Sequence, residues 1–214
     1  MDNLISFPLS IVDHIDKPQQ WLEKQNERIK AVTYIDQRNF LMQKPVVSPE
    51  SWVDPSARII GGVIIRRGCY IAPQAVIRLD ENNSPEPLVI GDGTNIQDGA
   101  VVHAATRSIG REVIVAHQAI IHGAVVEDEV TLYIQAVVDG GGTVIGRGSF
   151  LHHGTYVGKG IQIPPDSYLA PGVRVLTQSQ ADDLPKVNQE MRELREKVMN
   201  HNRAHCKNYL ANNL

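Results

Sequence analysis

The stretch VDPSARIIGGVIIRRGCYIAPQAVI, residues 53–77, places Val53, Ile59, Ile65, Ile71 and Ile77 six residues apart. Ala57, Val63, Cys69 and Ala75, all small or medium in size, follow the first four of these by four places. Self-similarity at a fixed period is the mark of a repeat architecture. Antiparallel sheets would show period-two alternation with turn signals every ~8–12 residues, which accounts for isolated hexads but not five in succession. Three short strands joined by tight corners make a triangular coil. One aliphatic side chain per hexad points inward, a small residue sits beside each corner, and stacked coils bury continuous columns. The pattern predicts an all-β fold, a parallel β-helix.

Reading outward, Ile90, Ile96 and Val102 resume the period after the polar insertion DENNSPEP. A third run is expected at Ile114, Ile120, Val126, Leu132, Val138 and Val144. After Gly140-Gly141-Gly142 the phase slips by one, to Ile145, Leu151, Val157, Ile163, Leu169 and Val175. Roughly seven coils of three hexads fit this span. Three parts are expected: an N-terminal extension at 1–48, the β-helix at 49–177, and a C-terminal helix at 178–214 packed on it. In the extension, Trp21, Leu22, Ile29 and Val32 after Lys17-Pro18 approximate one helical stripe. In the terminal segment Met191, Leu194, Val198 and Met199, then Cys206, Tyr209 and Leu210, have helical spacing.

Composition excludes several roles. The chain has 214 residues and a formal charge of -3, with no Lys/Arg run, so nucleic acid is not an expected partner. No window approaches the ~20 apolar residues of a membrane span. The opening residues MDNLISFPLSIVDHID lack a basic leader before an apolar core, so no export is expected. Cys69 and Cys206 form no CxxC pair, which points to a reducing, cytoplasmic setting and not to a disulfide framework.

Three of the eight histidines, His103, His117 and His122, lie close together within the hexads. Imidazole suits zinc, and three histidines with an open fourth position are what a catalytic zinc requires. His103 and His122 are nineteen residues apart, about one coil, so they should stack on one face. His117 precedes His122 by five residues and should project near another corner, displaced on the order of 15 Å at ~3.3 Å per residue. One subunit then cannot supply all three ligands, whereas a threefold rotation brings a neighbour's His117 to the pair. A homotrimer with one metal per interface is expected. Each histidine taken singly reads more often as a surface or corner residue than as a ligand, and it is the spacing of all three that changes this. His152 and His153, as adjacent strand residues, should point to opposite faces and lie at the surface. His14, His201 and His205 are expected to be structural or solvated.

The segments RLDE at 78–81, GTNIQDGAVVHA at 93–104, AHQAIIHG at 116–123 and IPPDSYLAPGVRVLTQSQADDLP at 163–185 resemble the γ-class carbonic anhydrases, in particular the archaeal prototype and the related carboxysome scaffold domain. The resemblance covers about residues 50–210. It implies a left-handed coil, His103, His117 and His122 as metal ligands, Zn2+ or Fe2+ as the metal, and reversible hydration of carbon dioxide to bicarbonate. It further implies an inter-subunit ion pair of Arg78 with Asp80, and Gln97 and Asp98 as residues supporting the metal site. The chemistry agrees, because a metal lowers the pKa of a bound water to about 7, and the Gln97 amide is able to hold the resulting hydroxide. Glu81 is implied as proton acceptor and Asn202 as a contact to bicarbonate. The structural alternatives are a simple Arg78–Asp80 bridge, a solvated Glu81 and an ordinary helix-surface Asn202. Two departures bear on turnover. The interval ATRSIGREVIVA replaces a long acidic loop, and Tyr133, within LYIQA, stands where the family carries a different sequence. The alternatives to the carbonic anhydrase reading are a weakly active metal-binding scaffold protein and a β-helix acyltransferase using one histidine as general base.

Overall fold

The computed structural model describes residues 43–79, 86–103 and 108–212. The helix expected in the N-terminal extension lies outside these residues. Twenty-one short strands form three parallel seven-stranded sheets, each strand pairing with those one coil before and after it. Face 1 runs from Val46–Val47 to Gln162–Ile163, face 2 from Trp52–Val53 to Tyr168–Leu169, and face 3 from Arg58–Gly61 to Arg174–Val175. The architecture is a left-handed parallel β-helix ending in a helix.

The hexad reading explains the core. On face 3, Ile59, Ile77, Val102, Ile121, Val138, Val157 and Val175 form one inward column, each at most 1% exposed. Faces 1 and 2 supply equivalent columns, and Ala57, Val63, Cys69 and Ala75 are fully buried. Left-handed coiling runs against the usual right-handed preference of parallel crossovers. The corners supply the required turn: residues with φ near +60° recur, six of them not glycine among the described residues, including Gln118 (φ 57) and Gln135 (φ 59). The long polar side chains there ladder outward, Gln135 Nε2 donating to Gln118 Oε1 at 3.0 Å.

One expected run is corrected. Ile114 and Ile120 do not point inward; the core residues are Val115 and Ile121, while Ile120 is 37% exposed. The cause is that the period is not six everywhere. Inward residues step by six at the corner between faces 1 and 2, and again between faces 2 and 3. Between faces 3 and 1, however, the steps Ile77–Ile90, Val102–Ile109, Ile121–Val126 and Val138–Ile145 span 13, 7, 5 and 7 residues. Every departure thus falls at a single corner of the triangle. Val144 likewise yields its expected inward place to Ile145.

Helix α1 (Gln178–Asp182) starts at a capping box in which Thr177 accepts from the Gln180 backbone. Helix α2 (Gln189–Asn212) returns along face 2. Met191 packs near Phe150, Met199 on Ile114 and Ala116, and Cys206 on Trp52 and Tyr70, so the helix runs from the later coils back to the first. That cover accounts for the burial of Ile114, which faces outward from the coil. Arg195, 12% exposed at its side chain, pins the helix by donating to the Glu129 and Glu112 carbonyls at 3.1 and 2.9 Å. Among the described residues no helix is long and apolar enough to cross a membrane.

Close coil stacking leaves no room beside certain corners. A Cβ at Gly91 would come within 2.5 Å of the Gly110 carbonyl, whereas one at Gly141 meets nothing within 4 Å. Gly91→Ala is therefore expected to lower stability by about 1–3 kcal/mol through overpacking. Gly141→Ala should stay within about 0.5 kcal/mol of wild type. Urea unfolding of the two variants side by side checks this, and equal midpoints would contradict the stacking.

Candidate metal centre

Parallel pairing places His103 opposite His122 and His122 opposite Asp139, forming one outward row on face 3. The two imidazole rings stack with centroids 5.5 Å apart and planes at 28°. Arg78, whose neighbour Ile77 pairs with Val102, belongs to the same row one coil earlier and is half-buried. The pair expected from the nineteen-residue spacing is thus brought together. Asp80 and Glu81 lie outside the described residues.

His122 Nδ1 donates to Asp139 Oδ1 at 3.0 Å, and the Tyr156 hydroxyl donates to Asp139 Oδ2 at 3.1 Å. These two hydrogen bonds, His122's first, hold the Asp139 carboxyl below the usual carboxylate range, with the His122 and Lys159 charges adding to them. The Arg174 guanidinium carbon lies 4.3 Å from the centre of the Tyr156 ring and closes the chain of contacts. Because the carboxylate accepts a hydrogen bond from Nδ1–H and so keeps the proton on Nδ1, Nε2 of His122 is left as the ring's lone-pair donor. A carboxylate behind a histidine is the arrangement that fixes a ligand's tautomer and ring orientation at metal sites.

His117 occupies different surroundings. It sits in the corner between faces 2 and 3, and its Nδ1 lies 3.0 Å from Asp98 Oδ2. Both residues border a cleft of about 830 Å3 between face 2 and α2. Gln97, Tyr133 and Asn202 line the same cleft. Gln97 is 5% exposed, and its Nε2 donates to Asn95 Oδ1 at 2.9 Å, an amide that in turn donates to Met199 Sδ at 3.6 Å. The Gln97 carbonyl oxygen is thereby turned away from that bond. Asn202, buried, donates from Nδ2 to the Val198 carbonyl. Tyr133 is half-buried, its ring against Phe150 and His153.

The fold therefore holds two part-sites: His103 and His122 backed by Asp139 on face 3, and His117, Asp98, Gln97, Tyr133 and Asn202 under α2. Among the described residues of one chain, no three histidine, cysteine or carboxylate side chains gather as a metal-binding set. Sequence reading missed Asp139 and Tyr156. The available signal was spacing, since Asp139 follows His122 by seventeen residues, one coil shortened by the five-residue step. The expected opposite orientation of His152 and His153 is also corrected. Their ring centroids are 4.5 Å apart, because both follow the Phe150–Leu151 strand into a turn, where strand alternation no longer applies.

No protein-family model matches the chain. Gamma carbonic anhydrase 1, mitochondrial, of Arabidopsis thaliana is 38% identical over 112 residues, covering 48% of this chain and 39% of that protein. Carnitine operon protein CaiE of Escherichia coli (strain K12) is 36% identical over 110 residues, 50% of this chain and 54% of that protein. Carbonic anhydrase of Methanosarcina thermophila is 34% identical over 117 residues, 44% and 46% of the two chains. The chain thus spans about half or less of the length of these relatives. Among solved structures, a hexapeptide transferase family protein from Anaplasma phagocytophilum superposes with a TM-score of 0.67 at 26% identity, over 78% of this chain and 93% of that one. Fold and side-chain rows define a hexapeptide-repeat left-handed β-helix. Within that class the matched half of the chain is similar to γ carbonic anhydrases and to CaiE.

The contact between His122 and Asp139 has a direct signature. Neutral His122 should carry its proton on Nδ1, read from imidazole nitrogen shifts by NMR. Asp139→Ala should move the ring toward the Nε2-protonated tautomer that free histidine favours. An unchanged tautomer in the variant would remove Asp139 from the site.

Proposed function

We propose that this protein catalyses the metal-dependent, reversible hydration of carbon dioxide to bicarbonate at the subunit interfaces of a homotrimer. The observation that carries the reading is the stacked pair His103 and His122 with Nδ1 of His122 held by Asp139. An isolated imidazole on a β-helix needs no such support, whereas a metal ligand does. The donor set, neutral imidazoles backed by carboxylates, fits Zn2+ or Fe2+. His117 completes it from a neighbouring subunit, since it borders a different part of its own chain together with Asp98. Closed threefold symmetry repeats the junction three times.

The metal would supply Lewis acidity, bringing the pKa of a coordinated water to about 7. The remaining work falls to side chains of this protein. Gln97 offers its amide oxygen to a polar group in the cleft and is itself fixed by Asn95. Asn202 lies across the cleft on α2, and in this reading it contacts the bicarbonate product. The resemblance gives Arg78 and Asp80 the role of an ion pair between subunits and Glu81 that of proton acceptor. Tyr133 shapes the wall. A cytoplasmic setting belongs to this reading, supported by two buried cysteines that form no disulfide, the Cys69 thiol being pushed up to about 12 by burial.

A second reading is a weakly active metal-binding assembly protein or an acyltransferase, the latter drawing on the structural neighbour, a hexapeptide transferase family protein. Acyl transfer needs one histidine as general base. It gives no role to the in-register pair with its carboxylate.

Protein purified anaerobically should sediment as a trimer with one metal per chain and hydrate carbon dioxide. His122→Ala should lose metal and hydration together while circular dichroism stays strand-like, since the aliphatic columns carry the fold. A monomer that keeps one tightly bound metal, or a His122→Ala trimer with full metal content, would sink the reading.

A further inference from the structure

Every hydration of carbon dioxide releases one proton, which must leave the cleft for turnover to continue. Few groups bordering the cleft are suited to take it. Asp98 lies against His117, and His117 is assigned to the metal on the reading above. Burial, with Tyr209 and Asp98 nearby, pushes the Tyr70 phenol up to about 12. Tyr133, Tyr209 and Lys197 also border the cleft, and phenols and ammonium groups present their protons as hydrogen-bond donors. The other titratable groups there are two histidines on successive turns of α2, His201 and His205.

Their geometry is specific. The two Nε2 atoms lie 2.8 Å apart, with ring centroids at 4.4 Å and planes at 78°. At that distance one Nε2–H donates to the other ring's lone pair. His205 is half-buried, its ring against both Tyr70 at 5.7 Å and Tyr209 at 6.0 Å. His201 is exposed and precedes the buried Asn202. The pair therefore reaches from the cleft to solvent, and imidazole is the side chain whose ordinary pKa lies closest to neutral pH.

We propose that His201 and His205 together accept the proton released by carbon dioxide hydration and deliver it to buffer, an inference that rests on the hydration reading. The step balances without a co-reactant. An O–H bond of water breaks as its oxygen joins carbon, and an N–H bond forms at one ring. The shared Nε2 proton shifts across 2.8 Å, and a buffer base takes a proton from the other ring.

The test uses the full-length, metal-loaded trimer in stopped-flow hydration assays. The His201→Ala/His205→Ala double variant should lose at least about tenfold in kcat in weak buffer, keep kcat/KM, and regain kcat when imidazole buffer is added. A readout independent of activity is available in the metal-free protein. There, the imidazole C–H resonances of His201 and His205 should titrate as a coupled pair, the midpoint of each moving when the other is replaced by Ala. Full kcat of the double variant in weak buffer overturns the proposal, and so does uncoupled titration. Loss of kcat on Glu81→Gln with no loss in the double variant would assign the role to Glu81. A metal-loaded wild type that hydrates no carbon dioxide sinks the hydration reading itself, which separates the two failures.

Discussion

Each strand of this protein lies over its counterpart one coil away, so a residue's neighbours are fixed by counting along the chain and not by the shape of a loop. The ladder hydrogen bonds set the vertical spacing, near 4.8 Å for adjacent strands. The aliphatic columns set the rotation, because one slipped residue would expose an inward side chain and bury a polar one. Both constraints act together on the row His103, His122 and Asp139, whose register is that of the buried Val102, Ile121 and Val138 beside it. Tight packing at the core thus holds the exposed imidazoles in place. A site built on strands so constrained loses little freedom on binding a ligand.

The second part-site depends on a different kind of contact. The cleft exists because α2 stands off face 2 on a few large side chains, Met191, Met199 and Tyr209 among them, with Arg195 tied to two carbonyls of the β-helix. Trp52 and Tyr209 stack at 5.1 Å where the helix meets the first coils. Helix position therefore controls what surrounds His117, while coil register controls His103 and His122. Two independent constraints meet only when subunits associate, which ties proper assembly to activity in the proposed trimer.

Much of this was legible in the sequence, for physical reasons that also show where legibility ends. A six-residue aliphatic period admits few folds, and the inward assignments of Ile59, Ile65, Ile71, Ile77, Ile90, Ile96 and Val102 hold. The stacking of His103 on His122 followed from one number, the spacing of nineteen. Ile114 and Ile120 were misplaced because Val115 and Ile121, their equally aliphatic neighbours, satisfy the same pattern one step out of phase. Hydrophobicity alone does not separate a residue facing the coil interior from one facing α2. Asp139 escaped notice because its partner is one coil away across a shortened step, and the mutual approach of His152 and His153 because a turn cancels strand alternation. The hydrogen bond between His201 and His205 depends on rotamers that no spacing rule specifies, although a separation of four on a helix allows it.

The irregular steps carry a further meaning. A regular hexapeptide coil would stack identical corners indefinitely, and this chain keeps strict sixes at two of its three corners. At the third, steps of 13, 7, 5 and 7 residues follow Arg78, His103, His122 and Asp139 in turn. Those four residues are the row on which the proposed metal centre is built, so the backbone departs from its repeat directly beside the side chains of that row. Extra or missing residues at a corner move the turn without disturbing the columns on either side, since the inward residues remain in register. The fold can therefore vary what borders the histidine row while the core that positions the row stays fixed. That separation is the physical reason one scaffold of stacked aliphatics is able to support different chemistry at its surface.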